Sequence, residues 1–441
     1  MGYCLLFKIF TRDGEVGGIV MSIDVNALLD RKIELPKTLD YFLYGGFILG
    51  LLAFLYTLSN GHADVAWTAF HLNFVFWAGV SHGGVLFACA MRITSSSWGR
   101  SIMRICESFA AFMPVVFIFL LVLLFVDGEQ TLLYFSEEYK NYDYITTRKH
   151  SIWLNFNSVF IRSVLLVGTL HILTYYYLYH SIKQDCEGTG RFKGFFSFLS
   201  SPPEDGNQIN HDEKLYKYSI AIAFAYSLSM TFVAFDFIMS LDVHFYSTLF
   251  GVYYFMASVL AALGLVVIIS SMMTIKFKLY EVITEFQFYD AAKLMFGLSV
   301  FWLYTFFSQF LPIWYANMPE ETGFIATRVF EEPYRSLSWA TLTCVFVIPF
   351  VALIPRTTKI VKPILIAIAT ISFLGLFVEK IVLIYPSIMH NHFHFGIESV
   401  LISFGFLCLF LICVTKFLSY FPIFVMKDKK LIAKISKGGG H

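Results

Sequence analysis

The sequence predicts an all-α integral membrane protein that crosses the bilayer about ten times. Three observations carry that prediction. Of its 441 residues 57% are hydrophobic, only 14% are charged, and the apolar residues gather into ten long stretches. A soluble domain carries about a quarter charged residues, and the mean hydropathy of +0.68 points the same way. A hydrocarbon core about 30 Å thick needs roughly 20 helical residues, and within it only helices or closed barrels satisfy their own backbone groups. The stretches show no two-residue alternation, which sets barrel strands aside.

In chain order the expected spans are Tyr41–Leu58, Val65–Met91, Met103–Val126, Ile152–Tyr179 and Tyr216–Ser240, then Phe245–Met273, Tyr289–Tyr315, Ser336–Ile354, Ile360–Tyr385 and Phe395–Phe424. About 22 Lys and Arg fall in the two tails and the even-numbered loops against about 4 in the odd-numbered ones, the positive-inside asymmetry that places both termini in the cytoplasm. One span more or fewer would scramble that alternation. Residues 1–40 are then a cytoplasmic tail, 41–426 a single transmembrane domain and 427–441 a basic cytoplasmic tail. Lys8, Arg12, Asp13 and Glu15 interrupt the first apolar patches, so no cleaved signal is expected, and Met21 is an alternative start. The cytoplasmic loop 183–214, with Gly188, Gly190, Pro202, Pro203 and Gly206, divides four spans from six as a hinge or docking loop. Two acidic outer loops, Asp127–His150 and Ala316–Pro333, are expected to cover a surface where a partner sits.

A net charge of +1 supplies no basic field for nucleic acid. The seven cysteines form no CxxC pair or haem-attaching CxxCH run, so no covalent haem or iron–sulfur site of the chain's own is expected. P-loop, HExxH, GxSxG and dinucleotide fingerprints are lacking as well.

Ionisable groups inside a membrane are costly unless paired or hydrated, and they mark candidate function. Toward the outer side the fifth span closes on Asp236, Asp242 and His244. Asp242 reads either as a turn cap or as part of a proton-accepting mouth. Glu379 and Lys380 are adjacent in the ninth span, point about 100° apart, and are each expected to need a partner of their own. Lys380 has the alternative of snorkelling outward. His394 and Glu398 open the tenth span four residues apart, at hydrogen-bonding spacing. Together with His390 and His392 they hint at zinc, but no matching second ligand group follows, and metal is set aside. On the second span His71 and Asn73 lie outward, His82 sits near mid-depth beside Gly83 and Gly84, which permit close helix approach, and Arg92 closes the inner end. Glu107, Arg162 and His171 are expected to continue a proton path inward.

Longer strings then carry a resemblance. Phe76-Trp-Ala-Gly-Val-Ser-His-Gly-Gly84, Met91-Arg92 and Trp98-Gly-Arg100 resemble the second-to-third-span region of NrfD-like (polysulfide reductase-type) membrane subunits. The run Asp236 to Gly251, followed by Ser308 to Thr322, resembles the ActF-type subunit of bacterial alternative complex III, a quinol:cytochrome c oxidoreductase. The resemblance covers nearly all of the chain after Leu39. It implies two four-helix bundles plus a helix pair in a bacterial inner membrane, menaquinone or another quinone as ligand, a paralogous NrfD-like subunit, and partner subunits carrying iron–sulfur clusters and c-type haems. On that basis His71, Asp236, Asp242, His244, Glu379, Lys380, His394 and Glu398 are candidates for quinone contact or a proton path. Two other classes compete. A structural anchor needs no such chemistry, and a stand-alone transporter would carry inverted repeats with broken helices, of which no clear Gly/Pro-interrupted pair appears.

Overall fold

The computed structural model describes residues 36–126, 131–140, 142–187, 194–201, 210–242, 244–389 and 393–425. Residues 1–35 with Met21, then Gly188, Gly190, Pro202, Pro203 and Gly206 of loop 183–214, the basic tail, and His390, Asn391 and His392 lie outside the described residues.

Among the described residues ten helices are long and apolar enough to cross a membrane: α1 (Lys37–Ser59), α2 (Ala63–Ile93), α3 (Met103–Phe125), α4 (Phe156–Cys186), α5 (His211–Leu241), α6 (Phe250–Phe277), α7 (Glu285–Ala316), α8 (Tyr334–Ala352), α9 (Lys362–Ile388) and α10 (Ile397–Tyr420). No strand occurs among the described residues. The chain is thus an all-α, multi-pass membrane protein. The largest difference from the expected boundaries is α4. It starts four residues late because the Asn155 side chain accepts the Ser158 amide at 2.9 Å and caps it, a cap that satisfies an otherwise orphaned N–H. It ends seven residues late because Lys183 and Asp185, polar enough to look like loop, are buried against neighbouring helices.

Burial sorts the helices. In α2, 89% of the apolar window is enclosed by protein and in α6 72%, against 22% for α1 and 17% for α8. The first two are therefore core and the last two lie at the outside of the helix bundle. Helices α2–α5 pack on one another as one bundle, α6–α9 as a second, α2 joins α6, and α1 pairs with α10 against α2. The α2–α6 seam is close because Gly83 lacks a side chain: a Cβ there would lie 2.9 Å from the Ser258 carbonyl oxygen. Gly84 instead faces Phe109 of α3.

The α1–α10 pair rests on the same device. A Cβ on Gly50 would sit 2.5 Å from the Gly405 Cα, a backbone-to-backbone crossing of the kind that small residues allow in membranes. Gly50→Leu is expected to push the pair apart and cost about 1–3 kcal/mol. Gly45→Leu is the control, since nothing lies within 4 Å of that position. Thermal melting in detergent checks it: a lower midpoint for Gly50→Leu and an unchanged one for Gly45→Leu.

Candidate functional site

Between α6, α7, α8 and α9 the second bundle leaves a cavity of about 300 Å³, at the lower end of the ~300–1,000 Å³ usual for ligand pockets. Its walls are rings and aliphatic groups, among them Phe250, Tyr253, Phe306, Phe310 and Leu383. Helical spacing builds one wall. Trp302, Phe306 and Phe310 follow one another by a single turn of α7 and line the cavity, and the stack runs on to the exposed Trp314, with centroids 6.2, 6.2 and 6.4 Å apart and planes within 9–11°. The opposite helix α8 passes through a π-helical turn at Thr343–Val347, against which α9 closes at Gly375, where a Cβ would come 2.6 Å from Cys344 Cβ. Trp339 of α8 lines the cavity and is 60% exposed, so the cavity reaches the apolar outer surface.

Glu379 stands one turn beyond Gly375 and lines the cavity. It is 2% exposed. Its Oε1 accepts the Trp302 indole N–H at 2.6 Å, and its Oε2 pairs with Lys380. This corrects the expectation that the two neighbours find separate partners. The 100° between their Cα–Cβ directions is bridged by the four-carbon lysine stem folding back, and Lys380 does not snorkel: it is 2% exposed, its ammonium 5.1 Å from the Tyr254 ring centroid.

The short helix Pro319–Val329 between α7 and α8 brings in Arg328, 5% exposed. Its Nη1 donates to the Phe324 carbonyl at 2.9 Å, and its Nη2 to the Leu383 carbonyl at 2.9 Å and Ser387 Oγ at 2.7 Å. Its guanidinium carbon lies 3.4 Å from the Phe324 ring centroid. No carboxylate pairs with it among the described residues, and Nε is left without a partner. Burial pushes this guanidinium down to about 9, against the opposing influence of Asp242 and Tyr334, so it is still a cation at neutral pH.

In the first bundle Asp236, fully buried, is held by Arg162 through two bonds, Nη2–Oδ1 at 2.6 Å and Nε–Oδ2 at 2.7 Å. Arg162 was expected among the inner groups with Glu107 and His171. It lies instead beside Asp236, because it sits two turns into α4 at the end where α5 finishes. His71 of α2 donates Nε2–H to the Phe237 carbonyl at 2.7 Å, leaving Nδ1 unpartnered. Asp242 takes the capping role, its Oδ1 accepting the His244 and Phe245 amides at 3.4 and 3.3 Å. His244 Nε2 lies 3.7 Å from Asp143 Oδ2.

Deeper, the rings of His82 and His171 are 5.1 Å apart. His82 Nδ1 bonds the Ala78 carbonyl at 2.7 Å and its Nε2 has no partner. His171 contacts two carbonyls, Val167 through Nδ1 at 2.6 Å and Met113 through Nε2 at 2.8 Å. Both acceptors are oxygens, so only the doubly protonated ring makes both bonds at once. At the opposite end of the bundle a closed network joins α2, α3 and α4. Arg104, fully buried, bonds Glu107 at 2.7 Å and also Asp185, and Glu107 accepts Tyr177 and Ser181 hydroxyls at 2.9 Å with Arg92 at 3.9 Å.

The expected outer cluster is therefore divided. Asp236 belongs to the first bundle and Glu379 to the second, and His394 and Glu398 are partly exposed at the start of α10, 3.9 Å apart, beyond the hydrogen-bond distance that their spacing suggested. Neither is bonded to Asp236, Asp242 or Glu379 among the described residues. The residues passed over in sequence are Trp302 and Arg328 at the cavity and Arg104 and Asp185 in the network. The i,i+3 pair Arg104 and Glu107 was the available signal for the network. Among the described residues no group of three or more His, Cys, Asp or Glu is arranged to hold a metal ion. No protein-family model matches the chain, and no curated protein matches it.

Proposed function

We propose that the chain is a membrane core subunit of a bacterial quinol:cytochrome c oxidoreductase of the alternative complex III type, set in the cytoplasmic membrane with both termini inside. The observation that supports this reading most is the ring-lined cavity of the second bundle, open toward lipid and headed by the buried carboxylate of Glu379. A quinol reaching it from the bilayer gives up two electrons and two protons in becoming a quinone. Iron–sulfur clusters and c-type haems of partner subunits would take the electrons, and this chain's residues would take the protons. The first proton needs a base within hydrogen-bond reach of the ring hydroxyl, and Glu379 Oε1 and Oε2 keep lone pairs for it beyond those used by Trp302 and Lys380. A proton path beside this site is supported by the first bundle, where Arg162–Asp236, His71 and the His82–His171 pair follow one another along α2, α4 and α5, while Glu107, held by Arg104, braces the far end.

A purely structural anchor is the second reading, favoured by Asp236 and Glu107 being already bonded to arginines. Purification in mild detergent followed by labelling with a photoreactive azidoquinone separates the two. The expected result is co-purification of haem absorbance and crosslinks on α7 or α9 near Trp302 and Leu383. An anchor brings the haem and takes no label there. An active lone chain contradicts both.

A further inference from the structure

A cluster of charge lies outside the cavity, at the end of the second bundle where α6 runs into α7 and α8 into α9. Three cations gather on one ring there. Lys293 Nζ of α7 lies 4.1 Å from the Tyr289 ring centroid, and the short helix Arg356–Ile360 between α8 and α9 brings Arg356 Cζ to 5.7 Å and Lys359 Nζ to 5.5 Å of it. A ring face attracts a cation but carries no net charge, so it cannot neutralise them. Asp290 pairs with Lys293 at 3.1 Å. Neither Arg356 nor Lys359 pairs with a carboxylate among the described residues. Lys359 has only the Ile354 carbonyl, at 3.5 Å, and Arg356 makes no hydrogen bond there, which leaves its fork of donors uncommitted. One turn of α7 before Tyr289, Thr284 and Glu285 line a cleft of about 470 Å³ together with Tyr280 and Lys362. Lys362 Nζ is 4.2 Å from the Tyr280 ring centroid. Beside these groups in the chain, Ile354, Val361 and Ile364 are exposed.

We propose that this cleft and ring hold the headgroup of an anionic phospholipid, with Arg356 and Lys359 on its phosphate oxygens and its acyl chains over Ile354, Val361 and Ile364. The proposal needs the chain to lie in a bilayer and is independent of what the cavity binds. Charge sets the class of ligand. Cations crowded on one neutral ring repel one another, and a phosphodiester offsets them while offering several acceptor oxygens to several donors. The surroundings set its source. A soluble phosphate gains nothing from exposed aliphatic groups, whereas a lipid covers them with hydrocarbon. The depth agrees, because α6 and α8 end here and α7 and α9 begin, which is the level of the headgroups in a protein that spans the membrane. Tyr280 and Tyr289 are side chains that suit that level, and basic pockets between helices at it are where anionic headgroups bind.

Equilibrium dialysis of the detergent-purified protein, with whatever subunits accompany it, tests this against three compounds: a short-chain phosphatidylglycerol, the phosphatidylcholine of the same chains, and glycerophosphate. The expected result is binding of phosphatidylglycerol by the natural protein, weakened about fivefold by Arg356→Gln or Lys359→Gln and about thirtyfold by the two together. Phosphatidylcholine binds more weakly than phosphatidylglycerol to the natural protein, and glycerophosphate does not displace the lipid. Tyr289→Leu keeps every charge, removes the ring that gathers them, and also weakens binding. The control is Lys214→Gln/Lys217→Gln, which takes the same charge from the exposed start of α5 at the same end of the molecule and leaves binding unchanged. A double variant at Arg356 and Lys359 that binds no worse than this control overturns the site. Equal binding of the two lipids overturns the role of charge, and displacement by glycerophosphate overturns the lipid as the source of the phosphate. Binding of neither lipid by the natural protein, the outcome if an acidic segment of a partner fills the cleft, overturns the proposal as a whole.

Discussion

Glu379→Gln is expected to lower quinol-dependent cytochrome c reduction by about 10²–10⁴-fold, the range lost with a positioned general base, while the complex still assembles. The amide keeps an acceptor for the Trp302 indole, so the α7–α9 contact survives. What it cannot do is take a proton. The complication is Lys380, whose carboxylate partner is removed while the ammonium stays 2% exposed. Stripping one member from a buried ion pair costs about 3–5 kcal/mol, partly offset here by the faces of Tyr253 and Tyr254, 6.0 and 5.1 Å from the ammonium. The double variant Glu379→Gln/Lys380→Met removes both charges and relieves that strain. It should assemble with the natural haem content and remain as slow as the single variant. Turnover of the double variant within about twofold of the natural complex, measured with haem content as the assembly check, would remove Glu379 from the proton-accepting role.

How much of this was legible in the sequence depended on whether the physics was local. Lipid imposes a length and a polarity on each segment separately, so ten spans could be read from ten windows, with errors only where a polar helix end is buried by something distant. Asp185 is such an end: it is buried against Arg104 of α3, which the window around it does not contain. The burial of Glu379 could be read because a carboxylate deep in an apolar run is anomalous by itself. Its partners could not, since Trp302 lies 77 positions away in the chain and a tryptophan in a membrane helix is unremarkable. Arg328 was hidden by its setting in an acidic segment that looked like solvent-exposed loop. The available sign was the amphipathic turn pattern of Pro319–Val329, which folds one arginine inward. The imagined meeting of Asp236 with Glu398 failed for the complementary reason. Each was read from its place along its own span, but depth along the bilayer says nothing about position around a bundle.

The second large effect is expected at the other end of the first bundle. Arg104→Met should destabilise the protein by about 3–5 kcal/mol, seen as a lower melting midpoint in detergent and reduced accumulation in membranes. Arg104 is fully buried and joins two carboxylates from different helices, Glu107 of α3 and Asp185 of α4. Its loss leaves their charge concentrated where water cannot reach. Arg104→Lys should recover only part of the loss, because an ammonium cannot span both carboxylates as a planar fork does. The same variants bear on whether Glu107 carries protons. Four groups already converge on that carboxylate, Arg104, Tyr177, Ser181 and Arg92, and protonating it would cost at least one of those bonds. A carrier must load and unload repeatedly, whereas a brace must not. The geometry at Glu107 therefore predicts that the fraction of Arg104→Lys protein that does assemble releases protons per quinol at the natural ratio. A reduced ratio, in complex of full haem content, would instead put Glu107 on the route.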